Sequence, residues 1–389
     1  MVGVVVGPSV GGLLLGAFWW GAAFLIGVPV MGLLLATGPF LLPESRERAG
    51  GRLDPLSVAL SLAAILPFVY GLKEIARRGP GALALAAVVA GIGFGAVFVA
   101  RQRRLASPLL DLRLFADRGL RGALTLSFVL AFTMAGVGLL VTQYLQVVKG
   151  FSPLAVGLWL LPPSLAMIVA GNAGPALARK IRPAYIFATG LVLAAGAALA
   201  ITRVGPAAGI GWLIAALFVL YVGTSPIGVM SGTIVMTSAP PERAGSAGAL
   251  SSTSGEFGLA LGVAVFGSVA TAAFRDRVAV PAAVPADLAG TAGENVVGAT
   301  TVAGKLPGPV GAGLLESAQV AFTGGMHIVL AAAAVLFAAL AVVSLATLRH
   351  VPPSGAPAPT PAAEPEAEPA LSAASPRPRE DLASLVPGA

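Results

Sequence analysis

An all-α polytopic membrane protein with about ten transmembrane helices is what the sequence predicts, and three observations carry that prediction. Hydrophobic residues make up 57% of the 389-residue chain and charged residues only 11%, with a mean hydropathy of +0.90, a balance foreign to soluble domains. Apolar runs long enough to cross a bilayer, roughly 20 residues each, recur along the chain. Short clusters of Arg, Pro and Gly separate them.

In chain order the spans fall at 2–17, 20–42, 55–73, 80–100, 120–148, 153–177, 183–202, 209–237, 246–272 and 321–348. The first carries Gly3, Gly7 and Gly11, which recur every four residues and form a smooth stripe where a second backbone can approach. Pro8 removes one backbone hydrogen bond from that helix and directs it toward protein or a cavity. A matching small-residue face, Gly157, Ser164 and Gly171, lies in the span from Pro153 to Pro175 and is its expected partner. Met1 leads straight into apolar sequence without a basic leader, so no cleavable signal peptide is predicted and insertion relies on the spans.

Arginine placement sets the orientation. Arg46, Arg48, Arg52, Arg101, Arg103, Arg104, Arg113, Arg118, Arg121, Arg179, Lys180, Arg182, Arg243 and Arg349 fall on one side. They outnumber Lys73, Arg77, Arg78, Lys149, Arg203, Arg275, Arg277 and Lys305 on the other. The positive-inside rule therefore places both ends of the chain in the cytoplasm. The formal charge of +7 is a topology signal of this kind, and no nucleic-acid partner is expected. Arg-over-Lys usage with abundant Ala, Gly and Pro fits a GC-rich bacterial genome, hence a multi-pass protein of the bacterial inner membrane.

Three connections stand apart. Ser107 to Phe115 alternates apolar and charged residues and reads as an interfacial helix. Residues 275–317 form a long external loop, either disordered or folded back as a small hairpin over the mouth. The Pro- and Glu-rich tail, 351–389, lacks the apolar residues for a core and is expected to be disordered.

Glu256 is the one acidic residue within an apolar span. A charged side chain at the centre of a membrane helix costs about 2.5–3.5 kcal/mol on insertion scales. Such a group serves as a proton carrier or a counter-charge for a cationic ligand, or it stands hydrated near the cytoplasmic end, paired with Arg243. Gln143, Tyr144 and Gln146 either line a polar vestibule or bond to neighbouring helices, Gln143 and Gln146 sharing a face at i, i+3 spacing. Trp159, Met167, Asn172, Tyr221, Met230 and Met236 complete a set of possible cavity-lining residues, adaptable Met and aromatic surfaces being suited to varied apolar ligands. His327 is either an interfacial residue or a group titrating near neutrality. There is no cysteine, no phosphate-cradling GxxxxGK[ST] and no metal-ligand spacing. No enzyme, cofactor or metal is expected, which leaves an ion gradient as the energy source for any transport.

Gly3-xxx-Gly7-Pro8-xx-Gly11-Gly12 resembles the antiporter motif on the fifth helix of drug/proton antiporters in the major facilitator superfamily. Further segments resemble its fourteen-span branch, the quaternary-ammonium and multidrug exporter type. These are Asp54-Pro55 with Val69-Tyr70-Gly71-Leu72, Pro108 to Phe115, Tyr144 to Gly157 with Leu161-Pro162, and Pro241 to Gly248 leading to Gly262 to Ser268. Ala178 to Pro183 resembles the superfamily's basic cytoplasmic loop only weakly.

The resemblance implies a partial major-facilitator fold, helices 5–14 of fourteen, N-terminally truncated. Residues 1–42 would be a two-helix remnant of the N-terminal half, 43–105 a two-helix insert, 106–350 the C-terminal six-helix half and 351–389 the tail. It places Glu256 on the thirteenth helix, where acidic residues serve cation recognition or coupling. It further implies proton-driven efflux of a small hydrophobic or cationic drug by the intact parent, with membrane lipid the other partner. The alternatives are export of a specific natural product or metabolite, and a non-transporting remnant.

Overall fold

The computed structural model describes residues 2–41, 54–78, 81–105, 118–238, 244–351 and 353. In chain order the helices are α1 (Val2–Ala17), α2 (Ala22–Leu25), α3 (Gly27–Leu41), α4 (Pro55–Arg78), α5 (Ala82–Gln102), α6 (Arg118–Gln143), α7 (Pro153–Ala178), α8 (Pro183–Ile201), α9 (Ile210–Ser238), α10 (Ala244–Arg277), α11 (Ala286–Glu294), α12 (Val296–Ala303) and α13 (Gly308–Leu348). The described residues contain no strand. Nine helical stretches among them are long and apolar enough to cross a membrane, with α2 and α3 counting together. The tenth expected span is α1, which at 16 residues is shorter than the rest. The interfacial helix expected at 107–115, Arg243 and all of the tail beyond residue 353 lie outside the described residues.

Helices α6 to α10 and α13 form one body. Within it α6 packs on α10, α7 on α9, and α8 on both α9 and α13. Water supplies no driving force between helices in lipid, so close backbone approach must supply the contact. Gly258 and Gly262 of α10 lie against the Phe128 and Phe132 carbonyls of α6, where a Cβ would collide with the oxygens. Phe266 then fills the space above Gly136, its ring 5.0 Å from that of Phe132. Gly190 and Gly223 meet in the same way where α8 crosses α9.

Sequence punctuation sets the helix starts. Pro153 and Pro183 occupy first-turn positions that need no N–H, and Ser152 caps α7 by accepting from the Ala155 amide at 3.2 Å. At the end of α6 the chain takes a π-helical turn, Tyr144–Val148, closed by Lys149 N–H to the Tyr144 carbonyl at 3.0 Å. Gly150 follows with φ 67°, a left-handed conformation that glycine adopts without strain.

That irregular corner is stapled to the connection between α8 and α9. The Tyr144 hydroxyl donates to the Gly205 carbonyl at 2.8 Å, and Lys149 Nζ donates to the Pro206 and Ala208 carbonyls at 2.7 and 2.6 Å. His327 Nε2, from α13, donates to the Val204 carbonyl at 2.9 Å. Loop carbonyls that would otherwise lack partners are thereby satisfied by side chains.

The external loop is the main departure from the sequence reading. Helix α10 runs on to Arg277 and α13 begins at Gly308, well before the expected span start, so the connection shrinks to residues 278–307. It holds a pair of short helices, α11 and α12, around a small core of Val284, Ala292, Val302 and Leu314. Asn295 separates the two and caps α12 through the Gly298 amide at 2.9 Å. At 41 residues, α13 is about 60 Å long, twice a hydrocarbon core of about 30 Å. Its first turns therefore stand outside the membrane beneath the helix pair.

Helices α4 and α5 form a second, antiparallel unit that touches the body through α10. Gly71 faces the Ala84 carbonyl and Gly91 the Ala64 carbonyl, reciprocal gaps that bring the two backbones together. The start of α4 and the end of α5 are joined by a part-buried chain of polar groups. Gln102 Nε2 donates to Ser57 Oγ at 2.7 Å, Ser57 Oγ donates to Asp54 at 2.7 Å, and the Arg101 guanidinium meets the same carboxylate at 2.8 Å. Hydrogen bonding from Ser57, then from Arg101, holds the Asp54 carboxyl below its ordinary value, and desolvation opposes them in part.

A carboxyl with a depressed pKa in the folded chain stabilises it fully above its unfolded value of about 3.9, and that stabilisation fades as pH falls through the folded value. Asp54→Asn is therefore expected to accelerate hydrogen exchange in the first turn of α4 and the last turn of α5 at pH 7. The wild-type chain should show the same acceleration, corrected for intrinsic rates, only below about pH 4. Equal protection in the two proteins at pH 7 would show that the clamp is not what joins these ends.

Candidate functional site

Glu256 sits on α10, twelve residues after its start and so about 18 Å along its axis. The side chain is exposed, as are those of Ser252 and Thr253 beside it. Gly258 and Gly262, the residues that pack on α6, point about 160° and 120° away on a helix of 3.6 residues per turn. The packing of α10 on α6 thus turns Glu256 out of the body. An exposed carboxylate at this depth is costly against lipid tails. Ser252, Thr253 and Glu256 therefore border water or other protein, whereas Leu259 and Val263, exposed further along the same face, are apolar.

The same face of α10 continues outward. Val263, Gly267, Thr271 and Phe274 follow Glu256 at helical spacing and line a cavity of about 570 Å³. Val263 lies two turns, about 10 Å, above Glu256. The cavity is bounded by α4, α6, α10, α13 and the junction of α11 and α12, at the end that the arginine pattern assigns to the outside. Its rim carries Lys73 and Glu74 of α4, Arg275 of α10 and Glu294 of α11. Arg275 Nε also donates to the Glu294 backbone carbonyl at 3.2 Å.

Of the other expected lining residues, Gln143 faces this cavity. Gln146 is exposed and lies away from it, because the π turn spaces residues at i to i+5 and breaks the i, i+3 alignment. Tyr144 is fully buried with its hydroxyl on Gly205, and Met230 is buried with its sulfur beside Gly174. Both are interior packing residues here: the tyrosine needs one acceptor, which the loop supplies, and the flexible thioether fills the gap left by a glycine. Met167 lends its carbonyl to Ser225 Oγ at 2.5 Å across α7 and α9, and Tyr221 packs on the edge of the core. Trp159 is exposed and stacks on Phe151 at 6.5 Å, Asn172 is exposed and donates to the Ile168 carbonyl of its own helix at 2.8 Å, and Met236 is exposed near Gly248. These residues lie on α7, α9 and the π turn, and none of them lines the outer cavity.

The glycine motif lies along α1, which packs on α7. Gly12 makes the close approach: a Cβ there would stand 2.7 Å from both the Leu154 Cα and the Pro153 carbonyl oxygen. Gly7 and Gly11 have no such neighbour. Helix α1 is continuous through Gly3 and Pro8. On α7, Gly157, Ser164 and Gly171 are all buried.

Sequence reasoning missed the clamp at Asp54 and the charged rim of the outer cavity. Arg101 is 47 positions from Asp54, and the four rim charges come from three helices, so no local spacing signals either. Among the described residues no group of His, Cys, Asp or Glu is placed to hold a metal ion.

Comparison with known proteins gives a consistent picture. The sequence profile of the Major Facilitator Superfamily matches residues 1–263. The multidrug efflux pump LfrA of Mycolicibacterium smegmatis is 38% identical, over 89% of this chain and 69% of LfrA. The methyl viologen resistance protein SmvA of Salmonella typhimurium is 29% identical, over 87% of this chain and 69% of SmvA. The tetracenomycin C resistance and export protein of Streptomyces glaucescens is 31% identical, over 90% of this chain and 67% of that protein.

The contrast along α1 gives a direct test. Gly12→Val is expected to force α1 off α7 and to lower the thermal midpoint of the purified protein by several degrees, corresponding to overpacking of about 1–3 kcal/mol. Gly7→Val and Gly11→Val should leave the midpoint within about a degree, since the added methyls meet open space. Equal losses at all three positions would contradict the Gly12 contact.

Proposed function

The chain belongs to the Major Facilitator Superfamily, and from that premise we propose that it acts in proton-coupled efflux of cationic or amphipathic drugs across the bacterial inner membrane, as a member of the fourteen-span branch. The observation that carries the reading is Glu256, an acidic group on a membrane-spanning helix, turned out of the packed body beside Ser252 and Thr253, on the face of α10 that continues to the outer cavity. The multidrug and methyl viologen names of two relatives support the substrate class. The driving force is an ion gradient, with no cofactor and no bond-making chemistry in the chain itself.

Coupling follows from competition for one carboxylate. A proton or an organic cation can neutralise Glu256, and each relieves the cost of a bare charge at membrane depth. Loading a cation from the inner side displaces the proton, and a proton taken from the outer side displaces the cation. The protein moves between orientations with the carboxylate neutralised by one or the other. Exchange results when the bare state crosses rarely, since a ligand shifts an equilibrium only by its differential affinity for the two states.

The tetracenomycin C relative favours a second reading, export of one specific natural product. The two are separated by transport in everted vesicles. With a proton gradient imposed, the wild-type chain is expected to move ethidium and viologen cations, and Glu256→Gln to lose about tenfold or more of the rate, as when one partner of a desolvated charge pair is removed. Gradient-dependent transport unchanged by Glu256→Gln would remove Glu256 from the mechanism. Movement of a neutral polyketide but of no cation would favour the second reading, and absence of any transport would refute both.

A further inference from the structure

From the outer cavity we infer a binding site for a zwitterionic amphiphile, separate from the Glu256 position and independent of the efflux reading. Three properties lead there. At about 570 Å³ the cavity lies in the range of small-molecule pockets, about 300–1,000 Å³. Its wall is largely apolar, made by Leu139 and Leu140 of α6 and Val263 of α10 further in, with Phe274 of α10 and Phe322 of α13 near the rim. Its rim is charged and electroneutral, with Lys73 and Arg275 set against Glu74 and Glu294.

The rim decides the ligand class. A ligand with a single charge meets as much repulsion as attraction from two cations and two carboxylates, so it gains little net Coulombic energy there. A head group carrying both charges can place its anionic end toward Lys73 and Arg275 and its cationic end toward the carboxylates. Tyr70, Gln143 and Asn295 add neutral polar groups near the rim, and Ser268 and Thr271 add hydroxyls further in along α10. An apolar body below that head covers the α6, α10 and α13 wall, replacing water against apolar surface. The site lies between the α4–α5 unit and the six-helix body, so occupancy bridges two units that meet chiefly through α10.

Two sources offer this chemistry: the head group and upper chain of a phosphatidylethanolamine molecule, and a free zwitterionic solute. Native mass spectrometry of the delipidated full chain separates them. The probes are phosphatidylethanolamine, phosphatidylglycerol as the anionic control, and norfloxacin as a soluble zwitterion bearing a carboxylate and an ammonium. Two variants report on the site. Thr271→Trp fills the cavity from α10, and Lys73→Glu, at an exposed rim position, unbalances the rim without touching the core.

The wild-type chain is expected to hold phosphatidylethanolamine or norfloxacin at least about fivefold more tightly than phosphatidylglycerol, with both variants losing that preference. Preference for the phospholipid identifies the membrane as the source, and preference for norfloxacin identifies a solute. Retention of phosphatidylglycerol equal to that of the zwitterions would overturn the assignment. So would unchanged binding in Lys73→Glu and Thr271→Trp. Because the readout is binding, it can fail while Glu256-dependent efflux stands, and the reverse.

Discussion

In a bilayer the helices of this protein cannot be held together by exclusion of water, and the whole architecture depends on how closely their backbones approach. Glycine sets that distance at four of the crossings. The α6–α10 contact is made by Gly258 and Gly262 on two carbonyls, the α8–α9 contact by Gly190 on Gly223, and the α1–α7 contact by Gly12 on Pro153 and Leu154. The α4–α5 pair repeats the device with Gly71 and Gly91. Each approach fixes the rotation of a helix as well as its distance. Rotation is what matters for function, because it determines which side chains are left facing outward.

Polar groups act at the helix ends, where they fix the units that glycine brings together. Tyr144, Lys149 and His327 converge on four neighbouring stretches of loop carbonyl between α8 and α9, tying α6 and α13 to that corner. Asp54, Ser57, Arg101 and Gln102 do the equivalent for α4 and α5 at the opposite end. These side chains satisfy backbone and charged groups that lipid could not. Their value is positional: an ion pair at the membrane edge contributes little by itself, but a connected network defines one relative placement of its helices.

The sequence was informative wherever a single helix carried the whole signal. The spans, the proline starts of α7 and α8, and the pairing of α1 with α7 all follow from patterns within one or two segments. It was less informative where the answer lay in a crossing point. A glycine every four residues defines a face of α1 but not the level at which α7 meets it, so Gly12 takes the contact that the spacing of Gly7 and Gly11 suggested. Gln143 and Gln146 illustrate the same limit: i, i+3 spacing means a common face only on an α-helix, and the π turn at Tyr144–Val148 is not visible in composition. The connection after α10 was legible only as disorder or a small folded-back hairpin, because Ala, Gly and Val carry weak periodicity there, and four buried apolar side chains close α11 and α12 on the start of α13.

The outward placement of Glu256 follows from this arrangement. On α10 the glycines and the acid lie on opposite faces, so the tighter α10 packs on α6, the more firmly Glu256 is held away from the core. Burying it in the body would have demanded a dedicated partner and several kcal/mol of desolvation. Under the proposed coupling, turning it out beside Ser252 and Thr253 leaves the carboxylate able to exchange one neutralising partner for another. In that proposal the cost of a bare charge at that depth, about 2.5–3.5 kcal/mol, is the energy difference that separates loaded from unloaded states. A residue pinned in the core could not supply that difference, because its partner would never change. Rigid glycine packing on one side of α10 and an exposed acid on the other are thus two consequences of one helix rotation.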